Sequence, residues 1–246
     1  MTEKKIAFVT GAAGGLGRAV VQKLLSQDYI VLANDYAKEQ LEELEESYAS
    51  DDLQTFCFDV TNEDEWKKAV KAIKAEFGKI DVLFNNAGIF KIETIEETTV
   101  ELWNKTMEVN VLSIFLGLQS MLPLLKKGSS VINTSSIASF LGSKNRIAYA
   151  ASKGAVAALT KAAAIELAPR EIRVNSVHPA YIQTQMAEHA AVATERTMEE
   201  MGMRIPLYQR ISSADEVADV VVFLASDASR FMTGAEMVVD GGQSIN

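Results

Sequence analysis

The chain is poor in the residues from which staples and metal sites are made. Its 246 residues include one cysteine, Cys57, and two histidines, His178 and His189. A lone cysteine excludes an internal disulfide framework, and without a Cys/His cluster a zinc site is not expected. Positive charge is also in deficit. Asp and Glu number 33 against 24 Lys and Arg, a formal net charge of -9. That argues against a nucleic-acid partner, which would need a basic surface. No apolar run approaches the ~20 residues of a membrane span. The opening Met1 to Val9 goes straight into a strand-like run, unlike a signal peptide. A cytoplasmic protein is expected, with no membrane partner. Linkers, repeats and low-complexity tracts are missing too, so residues 1–246 read as one domain. With 48% hydrophobic and 23% charged residues, the composition suits a chain that buries a sizeable core.

Short β-rich runs alternate with longer helical patterns. Strands are expected at 6–10, 30–34, 55–58, 82–85, 130–134, 173–178 and 236–240. Helices are expected at 15–27, 38–48, 63–77, 102–126, 148–167 and 214–225. Regular alternation implies parallel strands joined by right-handed crossovers, with helices on both faces. The methionine-rich stretch 184–208 lacks a strand signal. It reads either as a helical insertion covering a pocket or as a plain pair of surface helices.

Three local patterns carry chemistry. Thr10-Gly11-Ala12-Ala13-Gly14-Gly15-Leu16-Gly17 follows the first strand and opens the first helix. Glycines there let the backbone turn sharply and approach a pyrophosphate, and the helix start supplies free N–H groups. The alternative is a purely structural β–α turn. Asp35, at the end of the second strand, can accept hydrogen bonds from ribose hydroxyls and would repel a 2′-phosphate. Positions 12 to 14 offer no cation to such a phosphate, so NAD is expected over NADP, with Lys38 as the opposing feature. Asp35 could equally be a turn or cap residue. Third, Tyr149 and Lys153 stand at i, i+4 on one helix face. A fixed ammonium would lower the phenol pKa from ~10 and create an acid/base near neutral pH. Ser136 lies thirteen residues before Tyr149.

Together these residues resemble the short-chain dehydrogenase/reductase family, from about Lys5 to Gly242. The resemblance implies an α/β Rossmann-type fold: a doubly wound parallel sheet of about seven strands flanked by helices on both faces. It implies that Gly11, Gly15, Leu16 and Gly17 form the cofactor loop and that Asp59-Val60 meets the adenine. Asn86, Ala87 and Gly88, after the fourth strand, would line the cofactor. Asn110, Ser136, Tyr149 and Lys153 match the catalytic tetrad, with Asn110 anchoring a water that links Lys153 to solvent. Pro179, Ile182 and Thr184 match positions beside the nicotinamide. The family usually has Pro-Gly where this chain has Pro179-Ala180. A homotetramer is the family's common assembly.

The implied reaction interconverts a ketone and a secondary alcohol. Tyr149 would be the acid/base, Ser136 would hold the carbonyl oxygen, and Lys153 would also bind the nicotinamide ribose. Ser135 competes with Ser136, although the spacing favours the latter. His178 reads as structural. The loop 138–146 and the stretch 181–208 should line the pocket for a small-molecule carbonyl or alcohol. Its methionines read as core more readily than as pocket. One alternative is a 3-oxoacyl-acyl-carrier-protein reductase, with Lys126, Lys127, Arg170 and Arg173 as a basic rim for the carrier. Another is a non-catalytic nucleotide-binding regulator.

Overall fold

A computed structural model describes residues 3–246. Seven strands form one parallel sheet: β1 (Ile6–Thr10), β2 (Ile30–Asp35), β3 (Leu53–Cys57), β4 (Ile80–Asn85), β5 (Leu125–Thr134), β6 (Arg173–Pro179) and β7 (Glu236–Val239). Their spatial order is β3-β2-β1-β4-β5-β6-β7, and every pairing is parallel. This is the Rossmann-type doubly wound architecture. Chain order reverses between β1 and β4, and a crevice opens at the carboxyl ends of such a pair.

The strands alternate as a doubly covered sheet requires. Ala7 and Val9 of β1 pack with Val20 and Leu24 of α1 (Gly15–Ser26) and Val217 and Val221 of α9 (Ala214–Ala225). Leu41 and Leu44 of α2 (Lys38–Tyr48) join the same face. Ile6 and Phe8 point to the other face, onto Trp66 and Ile73 of α3 (Glu63–Glu76). That face is completed by α5 (Ser113–Met121) and α6 (Ile147–Leu167).

One expected helix is wrong in shape. In place of a single helix over 102–126 there is α4 (Val100–Met107), a π turn (Glu108–Leu112), then α5. Pro123 has no N–H to continue a helix, and Leu125 already begins β5, earlier than expected. The early part of β5 is irregular. Ile80 pairs with Leu125 and Val82 with Ser130, and Gly128 takes a left-handed φ of 89° between them.

The 184–208 region is helical: α7 (Gln185–Ala193) and α8 (Met198–Gly202). It has its own small core. Ala190, Ala191, Met201 and Ile205 pack with Ile211, against Phe90, Ile92, Tyr181 and Met198. Met198 and Met201 are therefore packing residues, whereas Met186 and Met203 are exposed.

Candidate active site

The switch point is tied together by side chains that start from β1. Thr10 Oγ1 accepts hydrogen bonds from the backbone N–H of Asn86 (2.9 Å) and Ala87 (3.1 Å). Asn86 Nδ2 donates to the Gly11 carbonyl at 3.1 Å. Gly11 has φ +60°, and a Cβ there would stand 2.9 Å from Ala87 Cα. At Gly17 a Cβ would meet the Gly11 carbonyl oxygen at 2.0 Å, and at Gly15 it would meet the Thr184 methyl at 2.4 Å. These glycines are thus required by the chain's own packing. Gly14 differs: it is exposed, with only the Gly11 carbonyl near a hypothetical Cβ. It also precedes α1 without any side-chain cap. An uncapped helix start behind an exposed glycine turn suits a phosphate group. The residues present therefore fit a dinucleotide.

Asp35 is buried beside this turn. Its carboxylate accepts N–H donors from Ala13 (3.1 Å), Tyr36 (2.8 Å) and Ala37 (3.3 Å). It therefore caps its own turn and also reaches the glycine loop. The nearby cations are engaged. Lys38 pairs with Glu42 at 3.4 Å. Arg18 donates to the Ala13 carbonyl at 2.8 Å and pairs with Glu43 at 3.3 Å. Asp59 caps the following turn through Thr61, and the Val60 carbonyl accepts the Trp66 indole N–H at 2.8 Å.

Ser136, Tyr149 and Lys153 lie across the crevice, where β5 ends and α6 begins.

 Asn110 sits in the π turn, fully buried. Its Oδ1 accepts the Ile89 N–H at 2.7 Å, and its Nδ2 donates to the Ile89 carbonyl and to Ser152 Oγ, both at 3.0 Å. Ser152 in turn donates to the Tyr149 carbonyl at 2.7 Å. Asn110 therefore links the segment after β4 to the first turns of α6. Gly88 packs tightly beside it, since a Cβ there would lie 3.2 Å from Asn110 Oδ1.

The two serines separate as adjacent residues in extended chain should. Ser135 Oγ donates to the Lys153 carbonyl at 2.9 Å and is buried in the packing of α6. Ser136 Oγ accepts the Ala138 N–H at 3.2 Å and donates to the Pro179 carbonyl at 3.4 Å, and it stands near enough to the Tyr149 phenol to favour its ionised form. His178 supports this segment. Its Nδ1 lies 3.2 Å from the Ser136 carbonyl and 3.0 Å from Ser139 Oγ, and its Nε2 is 2.8 Å from Ser176 Oγ. Burial holds its pKa below the usual value, which favours the neutral ring. Ile182 bridges to Ser212, and Thr184 Oγ1 donates to the Ile182 carbonyl at 3.2 Å.

The electrostatics differ from the expectation for Tyr149. Burial pushes its phenol above the usual value, opposed by the Ser136 hydroxyl and the Arg146 charge. Lys153 does not reverse this. Its Nζ is 5.6 Å from the Tyr149 ring centroid and donates to the Thr134 carbonyl at 2.8 Å. Burial lowers Lys153 itself to about 8, so part of its charge is lost near neutral pH.

The comparisons with known proteins bear on this crevice. Residues 11–244 match the family described as enoyl-(acyl carrier protein) reductase. The trans-4-hydroxycyclohexanecarboxylate dehydrogenase of Sinomonas cyclohexanicum is 40% identical, covering 98% of this chain and 93% of the relative. The chain belongs to the short-chain dehydrogenase/reductase family. A 3-oxoacyl-acyl-carrier-protein reductase of Thermotoga maritima is 36% identical, with 99% of each chain covered. A solved short-chain dehydrogenase/reductase from Brucella melitensis, described as a glucose/ribitol dehydrogenase, superposes with a TM-score of 0.92. It is 32% identical over 98% of this chain and 97% of that one. As a short-chain dehydrogenase/reductase, the chain is an oxidoreductase of a family that uses nicotinamide cofactors. Among the described residues, no helix is long and apolar enough to cross a membrane.

Arg146 and Phe90 are the site residues that sequence reasoning missed as individuals. The Phe90 ring meets the Tyr149 ring edge-on at 4.8 Å, and the Arg146 guanidinium stands 5.4 Å from the Phe90 centroid. The available signal was Arg146 at i−3 from Tyr149, a spacing that makes helical neighbours.

Proposed function

We propose that the chain is an NAD-dependent dehydrogenase that interconverts a secondary alcohol and a ketone, with Tyr149 as the acid/base. The observation that carries this reading is the Ser136 hydroxyl acting on the buried Tyr149 phenol, beside the buried Lys153. Gly11, Gly15, Leu16 and Gly17 would hold the cofactor pyrophosphate, and Asp35 would take the adenosine ribose. Asp59 and Val60 would meet the adenine, while Asn86, Ala87, Gly88, Pro179, Ile182 and Thr184 line the remaining length. NAD, when bound, supplies the hydride acceptor for alcohol oxidation. Ser136 orients the substrate oxygen towards the phenol. Tyr149 takes the alcohol proton in oxidation and returns it to the carbonyl in reduction. A phenol held above its usual pKa favours proton donation at neutral pH, so alcohol oxidation should accelerate as pH rises. Lys153 would bind the nicotinamide ribose, and Asn110 would fix the α6 end through Ser152.

Asp35 and the ion-paired Lys38 and Arg18 support NAD over NADP. The Sinomonas relative's substrate is a cyclic secondary alcohol, and we assign that class here. The carrier-protein reductase reading is weaker on geometry. Lys126 and Lys127 lie at the start of β5, and Arg170 and Arg173 lie before and at the start of β6. That is the amino end of the parallel sheet, opposite the crevice. Lys127 is also paired with Glu171 at 2.8 Å, and Arg173 donates to Ser229 Oγ and to the carbonyls of Leu224 and Ser226.

Exposed apolar side chains support a homotetramer. One group, Val100, Trp103, Leu112 and Phe115, lies along α4, the π turn and α5; Ile165, Phe223, Phe231 and Val238 lie on α6, on α9 and around β7. The test of function is a steady-state screen with NAD and NADP against cyclopentanol, cyclohexanol, 4-hydroxycyclohexanecarboxylate and an acetoacetyl thioester. The reading expects cyclic alcohols with NAD to lead. A thioester reduced fastest with NADPH would instead favour the carrier-protein reductase.

A further inference from the structure

We propose that Arg146 is a specificity residue that receives a carboxylate carried by the substrate, at the end remote from the carbon that reacts beside Tyr149. The proposal rests on the dehydrogenase reading above and narrows its substrate to a hydroxy or oxo acid. Arg146 is the last residue before α6, three positions ahead of Tyr149. Its guanidinium lies between two aromatic rings, 5.4 Å from the Phe90 centroid and 5.3 Å from that of Tyr181. Phe90 also touches Tyr149, so cation, aromatic ring and phenol form one continuous wall.

Among the described residues the cation has no counter-ion. The arginines in ion pairs among the described residues are Arg18 and Arg210. Arg146 Nη2 donates to the Tyr181 hydroxyl, a neutral partner, and Nε is buried with no partner at all. Glu93 is the nearest acidic residue along the neighbouring segment. It bridges Arg146 through backbone, and its N–H donates to the Asn145 carbonyl at 2.9 Å, but its carboxylate makes no ion pair with the guanidinium. Lys91 lies on the same segment and adds positive charge. The turn before Arg146 places Asn145 in the left-handed region at φ 61°.

Cation–π contacts offset only part of the cost of a half-buried guanidinium. A guanidinium presents its donors in a planar fork that matches a carboxylate. The two rings at the guanidinium, Phe90 and Tyr181, also pack against the small apolar core of α7 and α8, which suits the carbon skeleton of such a molecule. A saturated six-membered ring places a ring carbonyl oxygen and a carboxylate carbon roughly 6 Å apart, summing ordinary C–C and C=O lengths. Phe90 meets both the Arg146 guanidinium and the Tyr149 ring, so the two groups that such a molecule would bridge stand on either side of one aromatic ring. A bulky dianion is a poorer match, because one cation with neutral aromatic neighbours would leave its second charge unpaired.

The test compares the full-length wild type with Arg146→Gln and Arg146→Lys, using NAD and two alcohols, 4-hydroxycyclohexanecarboxylate and cyclohexanol. The readout is the ratio of kcat/KM for the acid to that for the neutral alcohol. The wild type should favour the acid. Arg146→Gln should lower the ratio about 30-fold, mostly through KM for the acid, as expected for loss of one charge-assisted pair. Arg146→Lys should restore part of it. A purely structural role, or one confined to the Tyr149 phenol, would slow both alcohols alike and leave the ratio unchanged, and that result overturns the proposal. So does a wild type with no preference for the acid. Calorimetry with cyclohexanecarboxylate, which has no alcohol to oxidise, separates the two levels of the argument. Arg146-dependent binding without turnover of any alcohol would sink the dehydrogenase reading and leave the anion site standing. Turnover with binding indifferent to Arg146→Gln would do the reverse.

Discussion

Asp35 and Lys153 are both buried charges at the carboxyl end of the sheet, yet their surroundings differ. Asp35 accepts three backbone N–H donors from two segments. Lys153 has the Thr134 carbonyl and no carboxylate, and burial holds it at about 8. The same contrast runs through the two walls they belong to. On the glycine-loop wall, Thr10, Asn86 and Asp35 are satisfied within the chain. On the α6 wall, Lys153 and Arg146 carry charge that no described residue balances with an ion pair, and Tyr149 is desolvated. What stays open on the first wall is backbone, the uncapped start of α1 behind Gly14. The second holds unbalanced polar groups whose natural partners are a ligand's oxygens.

That contrast can be broken at several points. The sharpest is between neighbours. Ser136→Ala should lower kcat by about 10²–10³, the usual loss of one donor to a reacting oxygen. Ser135→Ala should instead cost about 1 kcal/mol of stability, from one lost hydrogen bond to the α6 backbone, with turnover little changed. Equal effects on turnover would erase the distinction. Next, Asp35→Ala should weaken NAD binding about 10-fold, as for a charge-assisted hydrogen bond, and weaken NADP binding much less. An unchanged NAD/NADP preference, measured by titrating protein fluorescence, would remove Asp35 from cofactor selection.

A smaller effect concerns stability and pH. Lys153 is held at about 8 in the folded protein against an ordinary value of 10.5. The folded state therefore binds fewer protons than the unfolded state between those values, and stability rises with pH across that window. Below pH 8 the destabilisation by the buried cation is fully present. Relative to Lys153→Met, the wild type should gain up to about 3 kcal/mol between pH 8 and pH 10.5. Urea denaturation of both proteins at several pH values checks this, and a constant difference would show that Lys153 is not strained by burial.

Much of the glycine-loop wall was legible in the sequence because it is local. Gly11 to Gly17 and Asp35 follow consecutive strands, and their spacing alone suggests a dinucleotide turn. The sheet was legible for the same reason, since strands such as Ile6–Thr10 are contiguous apolar runs. The π turn at Glu108–Leu112 was not, because a shift from i+4 to i+5 bonding leaves no mark in hydrophobic periodicity. The irregular start of β5 was hidden because it depends on pairing Leu125 with Ile80 across the sheet. The opposite pull on Tyr149 had a related cause. Helical spacing placed Lys153 near the phenol, but the dominant influence is burial by segments distant in sequence. Arg146 was obscured likewise, since its setting is assembled from Phe90 and Tyr181.

The central claim is that Tyr149 carries the proton while the opposite wall holds the cofactor. The direct measurement is Tyr149→Phe, assayed for cyclohexanol oxidation with NAD and, in parallel, for NADH binding by fluorescence. The account predicts at least a 10³-fold fall in kcat, in the range of a lost acid/base group, with NADH affinity within about 3-fold of wild type because that wall is built independently. Near-normal turnover in this variant would contradict the account.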